Sequence, residues 1–160
     1  MTDAVVVDAS IALKWVLDEP DSDIAQILLA EWIDKGLVIL APALLAYEAT
    51  NGLYRKARKG EITRDRARQA LIKILFTGLE FDFSQGTSLS MKAMELSERF
   101  DRPATYDSHY LALAEREGCE FWTADTRLWN SIKGKFSWVR WMGNYQPTNQ
   151  YTPPNKSDNP

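Results

Sequence analysis

Four acidic residues stand where a folded chain could bring them together. Asp8 ends a β-branched run, and Asp125 follows a second strand-like run. Glu48 lies in a helical segment with Asn51 one turn later on the same face, and Asp107 opens another helix whose inward face continues through Leu111 and Ala114. If the two runs are neighbouring strands, four carboxylates converge at one edge of a sheet. Unneutralised, they repel one another and raise their own pKa values. A hard divalent cation relieves that conflict, since Mg²⁺ or Mn²⁺ takes oxygen ligands, keeps several waters and also contacts phosphates. Singly, each acid has a plainer reading: Asp at a strand-to-helix turn caps, and Glu on a helix is solvated. Context lifts the set, because Asp8 follows three valines and Asp107 introduces the apolar run YLALA.

The elements that must position these acids alternate between two periods. Ala4 to Val7 suits a buried parallel strand. Ser10 offers a cap for a short helix through Trp15 and Val16, stopped before Pro20. Asp21 and Ser22 open a second helix with Ile24, Ile27, Leu28 and Trp32 on one face, and Gly36 follows it. Leu37 to Leu40 reads as a buried strand, and Pro42 leads into a helix through Glu48, Asn51 and Tyr54 to Gly60. Thr63 caps the next helix, with Leu71, Ile74 and Leu75 apolar, ending at Gly78; Leu79, Phe81 and Phe83 alternate like an edge or half-buried strand. Helices are predicted over about Leu89 to Phe100 and from Tyr106 to Arg116, the second closed by Gly118. Cys119 to Thr123 is strand-like, Leu128 to Ile132 helical, and Trp138, Val139 and Arg140 form a last strand. Strands alternating with helices imply an α/β sandwich with a mainly parallel central sheet. Ligands of such sheets sit beyond the carboxyl ends of the strands, which directs attention to Asp8 and Asp125.

Composition sets the outer bounds. The 160 residues amount to one domain, with 45% hydrophobic residues and six each of Trp, Tyr and Phe to build its core. Residues 1–142 form that domain, and 143–160, polar and rich in Pro and Asn, read as a disordered or loosely attached tail. The single cysteine, Cys119, excludes a disulfide scaffold and a thiolate zinc cage; it reads as a small buried hydrophobe. No basic leader precedes an apolar run, and charges interrupt every candidate membrane span, so the expected protein is soluble and cytoplasmic.

The net charge of −3 argues against binding a polyanion over the whole surface. One stretch departs from it. Arg55, Lys56, Arg58, Lys59, Arg64, Arg66, Arg68 and Lys73 face only two acids, Glu61 and Asp65. Phosphate contacts from such a stretch give sequence-independent affinity that falls with salt, and Arg55, Arg58, Lys59 and Arg66 are its candidate phosphate contacts. The bland alternative is a solvated pair of helices. The same helices also offer Leu53, Tyr54 and Leu75 as apolar contacts for a protein partner.

The segments VVVDASIALKW, APALLAYEATNGL and YDSHYLALAEREGCEFWTADTRL, in that order, resemble the PIN-domain ribonucleases, most closely the VapC-type toxins of bacterial toxin–antitoxin modules. The resemblance runs from Val5 to about Trp141. It implies a PIN-like α/β/α sandwich and an acidic site of Asp8, Glu48, Asp107 and Asp125. Ser10 matches the small hydroxyl residue of the first block, Asn51 the polar residue after the Glu, and Thr123 the hydroxyl before the last Asp. It further implies Mg²⁺- or Mn²⁺-dependent cleavage of RNA by a homodimer silenced by a cognate antitoxin, with no membrane involved. Ser108 and His109 depart from the more usual small-then-variable pair, a difference that bears on the rim of the site; His109 itself reads as a surface or rim residue.

The implied chemistry is hydrolysis by water activated on a metal bound mainly through Asp8 and Asp107, with no protein nucleophile. Two rivals remain. A non-catalytic module of the same fold would hold RNA or protein without cutting, and the presence of all four acids disfavours it. A phosphatase using Asp8 as nucleophile lacks, in Asp8-Ala9-Ser10, the second acid two residues on that would protonate a leaving group.

Overall fold

Three valines in a row leave no polar face, so the strand they form must be covered on both sides. In the computed structural model, which describes residues 3–83 and 87–147, strand β1 (Ala4–Val7) lies at the centre of a five-stranded sheet and all three valines are buried. The chain continues through α1 (Ala9–Val16), α2 (Ser22–Asp34), β2 (Val38–Pro42), α3 (Leu44–Arg58), α4 (Arg64–Leu75) and β3 (Leu79–Asp82). It then forms α5 (Thr87–Arg99), α6 (Tyr106–Glu117), β4 (Glu120–Thr123), α7 (Thr126–Ile132) and β5 (Val139–Trp141). The strand order is β3-β2-β1-β4-β5, and every pairing is parallel. The expected mainly parallel sheet is thus parallel throughout, and β3 is indeed an edge strand.

Topology places the helices. The chain moves outward from β1 to β2 to β3, then returns past them to β4 and continues to β5. Right-handed crossovers put α1–α4 on one face and α5–α7 on the other, because the direction of travel reverses. The result is an α/β/α sandwich. Helix α6 packs on β1, β2 and β4 with α5 against it, while α1 packs on α2, α3 and α4. The reversal makes the junction of β1 and β4 the switch point of the sheet, where an open α/β sheet binds its ligands. Val5 pairs with Glu120, Val6 with Phe121 and Val7 with Trp122, so Asp8 and Thr123 emerge side by side.

Local chemistry explains several boundaries. Asp8 and Asp125 cap α1 and α7 with their carboxylates, and Thr63 caps α4 through its hydroxyl. Gly118 ends α6 at φ 63°, a left-handed turn that costs glycine little. Pro42 belongs to the end of β2 and not to the helix that follows, while Leu37 stays outside that strand. The predicted tail begins inside an ordered turn: Met142–Asn144 form a 3₁₀ helix, and the Tyr145 ring meets Trp122 edge-on at 5.9 Å. Residues 148–160 of that tail lie outside the described residues.

The aromatic content fills the core around the switch point. Phe121 on β4 is fully buried and stacks on Tyr110 of α6, with centroids 5.8 Å apart. Phe121→Ala should therefore cost about 3–5 kcal/mol, the range for emptying a buried phenyl site. The midpoint of guanidinium unfolding reads this directly. A cost below about 1 kcal/mol would mean that α6 does not seat on β4 as described.

Candidate active site

Asp8 is the first residue after β1 and the deepest of the four acids. Its Oδ1 accepts the Ile11 amide at 3.3 Å and the Ser10 hydroxyl at 2.5 Å. Its Oδ2 accepts a short hydrogen bond from the Thr123 hydroxyl. The two hydroxyls also accept backbone amides at the end of β4, Ser10 from across the sheet and Thr123 from its own segment. Ser10 Oγ accepts the Ala124 amide at 2.9 Å, and Thr123 Oγ1 accepts the Asp125 amide at 3.0 Å. The end of β1 is thereby tied to the end of β4 through one carboxylate and two hydroxyls. Burial nonetheless dominates, pushing the Asp8 carboxyl up to about 7 against the hydrogen bonds that favour its anion; repulsion from Asp107 adds to the rise.

The other three acids approach from separate elements. Asp125 caps α7, its Oδ1 accepting the Arg127 and Leu128 amides at 2.8 and 3.1 Å. Glu48 projects from the second turn of α3 and accepts the Tyr110 hydroxyl at 2.6 Å. Asp107, in the first turn of α6, pairs with Arg102 at 3.1 Å, and that guanidinium also donates to the Ser131 hydroxyl. Burial holds Glu48 above the usual carboxylate range, the Tyr110 bond opposes it, and repulsion from Asp107 and Asp125 adds. Asp107 is raised by burial first; Arg102 counteracts, and Asp125 repels. Each of the four acids is therefore within electrostatic reach of at least one other, at the carboxyl ends of β1 and β4.

They are not gathered into a ligand shell. No three described His, Cys, Asp or Glu side chains lie close enough together to hold an ion as they stand. The donor set still suits a hard cation, being all carboxylate oxygen, with Asp8, Glu48 and Asp107 raised partly by neighbouring acids. Mg²⁺ needs only one or two carboxylates when waters complete its octahedron.

Among the remaining predicted residues, Asn51 is exposed one turn along α3 from Glu48. His109 turns its Nδ1 to the Thr105 carbonyl at 2.7 Å, away from any catalytic partner. Ser108 does not shape the rim: it is buried and bonds Ser97 of α5 at 2.7 Å, because the inward face of α6 must meet α5. Cys119 is buried, its thiol pushed up to about 11 by desolvation. Leu53 is buried in the core and cannot meet a partner. Two residues that the sequence left unmarked belong here, Tyr110 and Arg102. Tyr110 hides in the apolar run YLALA, three residues after Asp107, where only its hydroxyl distinguishes it from core. Nothing in the spacing of Arg102 announces it.

The basic stretch is partly spent on structure. Lys56 bridges Glu19 at 2.8 Å and Glu61 at 3.3 Å, Arg68 pairs with Asp65 at 3.1 Å, and Lys59 meets Glu61 at 3.9 Å. Arg66 donates to the Val16 carbonyl and ties α4 to α1. Among the described residues Arg55, Arg58, Arg64 and Lys73 make no ion pair.

The family model of the PIN domain matches residues 5–133. The chain belongs to the PIN domain family. All four acids fall within the matched span. PAE2754 from Pyrobaculum aerophilum has the same PIN fold, at a TM-score of 0.64 and 22% identity, covering 89% of this chain and 93% of its own. So does VapC20 from Mycobacterium tuberculosis, a Sarcin-Ricin loop cleaving toxin, at a TM-score of 0.58 and 18% identity over 76% of this chain and 88% of its own. No curated protein matches. No helix among the described residues is long and apolar enough to cross a membrane.

The raised Asp8 carboxyl links stability to pH. Its folded pKa exceeds the unfolded value of 3.8, so the neutral form is favoured in the folded, metal-free protein. That contribution is complete below about pH 4 and is lost as pH rises through about 7. Asp8→Asn removes it. In EDTA, the variant should match wild type near pH 4, gain on it up to about pH 7, and hold a lead on the order of 4 kcal/mol above that. Urea unfolding at several pH values follows this lead. A gap that shrinks as pH rises would contradict the burial assigned to Asp8.

Proposed function

We propose that this PIN-domain protein is a metal-dependent endoribonuclease and the toxin of a toxin–antitoxin pair, working in the cytoplasm as a homodimer that a cognate antitoxin silences. The observation that carries the reading is the set of four carboxylates at the sheet's switch point, each within electrostatic reach of another, with Arg102 on Asp107 the one cationic partner among the described residues. The fold shared with VapC20, a Sarcin-Ricin loop cleaving toxin, supports the same direction. Residues 1–142 constitute the nuclease domain in this reading.

Asp8 and Asp107 are the principal ligands for Mg²⁺ or Mn²⁺, with Glu48 and Asp125 completing the acidic wall directly or through water. A bound ion supplies a water of lowered pKa and positive charge at the scissile phosphate. The chain supplies the rest. Ser10 and Thr123 orient Asp8 through its two oxygens, and Tyr110 fixes Glu48 from α6. Asn51 stands exposed beside Glu48, placed to contact the substrate backbone. Arg55, Arg58 and Lys59 provide phosphate affinity on α3 and just beyond it, whereas Arg66 contributes charge from a fixed position.

The test separates cutting from binding. Asp8→Asn should lose cleavage of unstructured RNA by about 100-fold or more, exceeding the loss typical of a residue behind the ligands. Mn²⁺ should raise the melting temperature of wild type more than that of the variant, because ligand stabilisation scales with affinity for the folded state. Asp34→Asn, exposed at the end of α2, should match wild type in both measurements. Cleavage that survives EDTA, or an Asp8→Asn protein of full activity, would sink the metal-nuclease reading. A wild type that binds RNA, cuts none and ignores Mn²⁺ would instead be a binding module.

A further inference from the structure

Beyond β5 the chain turns to the α2 side of the sheet. The Tyr145 ring, which meets Trp122 of β4 edge-on at 5.9 Å, brings its hydroxyl within electrostatic reach of Glu31 on α2. Trp122 in turn meets Trp32, the residue after Glu31, edge-on at 5.8 Å. At Trp32 a groove opens, with a volume of about 410 Å³. Its walls are Trp32, Leu37, Cys119 and Trp138, joined by Glu120 and Arg140. Leu37, Cys119 and Trp138 each stand one residue before a strand, so the groove lies at the amino ends of the sheet, opposite the acidic site. Glu120 and Arg140 pair with each other at 2.9 Å and stay partly exposed.

The chemistry of these walls selects an occupant. They are aromatic and aliphatic, and their one cation already has its carboxylate, so an anion gains nothing there. Flat indole rings suit other rings instead, and a proline-rich segment is held extended before it binds, so it loses little entropy on docking. The chain carries such a segment close by. The ring side chains of residues 148–160 are Tyr151, Pro153, Pro154 and Pro160, and three of these fall within four residues. Tyr151 is six residues beyond Tyr145, a reach of up to about 20 Å in extended chain. The way from Tyr145 to the groove is two ring-to-ring steps, of 5.9 and 5.8 Å. A segment tethered this closely faces its groove at an effective concentration on the order of millimolar, so weak contacts suffice to seat it.

We infer that this groove is the docking site of the chain's own residues 151–154, with Tyr151, Pro153 and Pro154 packed against Trp32 and Trp138 as a clasp over the β4–β5 edge. The clasp continues a contact that Tyr145 has already begun. It adds cover where the sheet has least, since β5 is an edge strand of three residues. The inference is independent of the nuclease reading: no acid of the candidate site takes part in it.

The test compares the full chain with one ending at Pro147. Cys119 is the only cysteine, so its alkylation by iodoacetamide reports on this groove alone; alkaline buffer is used because burial raises the thiol. Truncation should speed alkylation at least about 5-fold, as loss of even a weakly held cover does. It should also lower the melting temperature by about 2–4 °C. Tyr151→Ala should reproduce most of both effects. Tyr151→Phe should behave like wild type, since the ring is kept, and Lys156→Ala, beyond the docked rings, should change neither. In a second measurement, p-benzoylphenylalanine replaces Tyr151 in the full chain and is irradiated, and mass spectrometry locates the crosslinks. They should fall within one chain, on Trp32, Leu37, Cys119 or Trp138. A truncated chain that alkylates and melts like the full one overturns the inference, as do crosslinks that are absent or confined to other surfaces. Crosslinks that join two chains overturn it too, and give the groove to the tail of a second copy.

Discussion

Burying one carboxylate at the centre of a parallel sheet constrains everything around it. Asp8 follows directly on Val7, so no loop carries it out to water, and it has to find its hydrogen bonds within the fold. Those bonds come from the amide end of α1, from Ser10 in the first turn of that helix, and from Thr123 on the neighbouring strand. The Thr123 donor exists only if β4 lies beside β1, and the other two only if α1 begins at once. An unmet charge in this position would cost several kcal/mol, so the carboxylate acts as a register check on the β1–β4 pairing. The same residue is thus a structural constraint and the deepest point of the acidic site.

Charge is segregated on this chain in a way that net charge conceals. The acids converge at the strand ends, whereas the unpaired bases project from α3 and α4. Glu19 and Glu61 absorb Lys56, and a backbone carbonyl absorbs Arg66, which anchors the helical hairpin against α1. What remains free on the outer face of α3 is therefore a residue of structural accounting, after each base needed for packing has been matched. A polyanion lying there would meet attraction along the helix and repulsion at the strand ends. A cation at the acids would reverse the second field.

Much of this was legible in the sequence because strong local patterns agree with the fold. The β-branched run before Asp8, the glycine at the end of α6 and the threonine before α4 each mark a real boundary. The convergence of Asp8 with Asp125 was legible only conditionally, since strand order is a long-range property that periodicity does not encode; the pairing of β1 with β4 supplies the missing condition. Ser108 and Leu53 were misjudged for one reason. Helical spacing identifies a face but not which neighbour covers it, and α5 and the core take those two faces. Tyr110 and Arg102 escaped notice because their roles lie in single polar atoms reaching across the fold, from residues whose types suit core and surface equally well.

The four acids are held with unequal firmness, and that inequality bears on how such a site accepts an ion. Asp8 and Asp125 are helix caps, each fixed by backbone amides as well as side chains, so their positions are set by the sheet and by α1 and α7. Glu48 and Asp107 depend on one side chain each, Tyr110 and Arg102. A phenol buried against Phe121 is a rigid partner, whereas Arg102 is a long side chain whose guanidinium already divides itself between Asp107 and Ser131. Of the four contacts, the Arg102 pair is thus the one that yields at least cost. Arg102 serves the fold as an internal counter-charge to Asp107, opposing the rise that burial and the neighbouring Asp125 impose on its carboxyl.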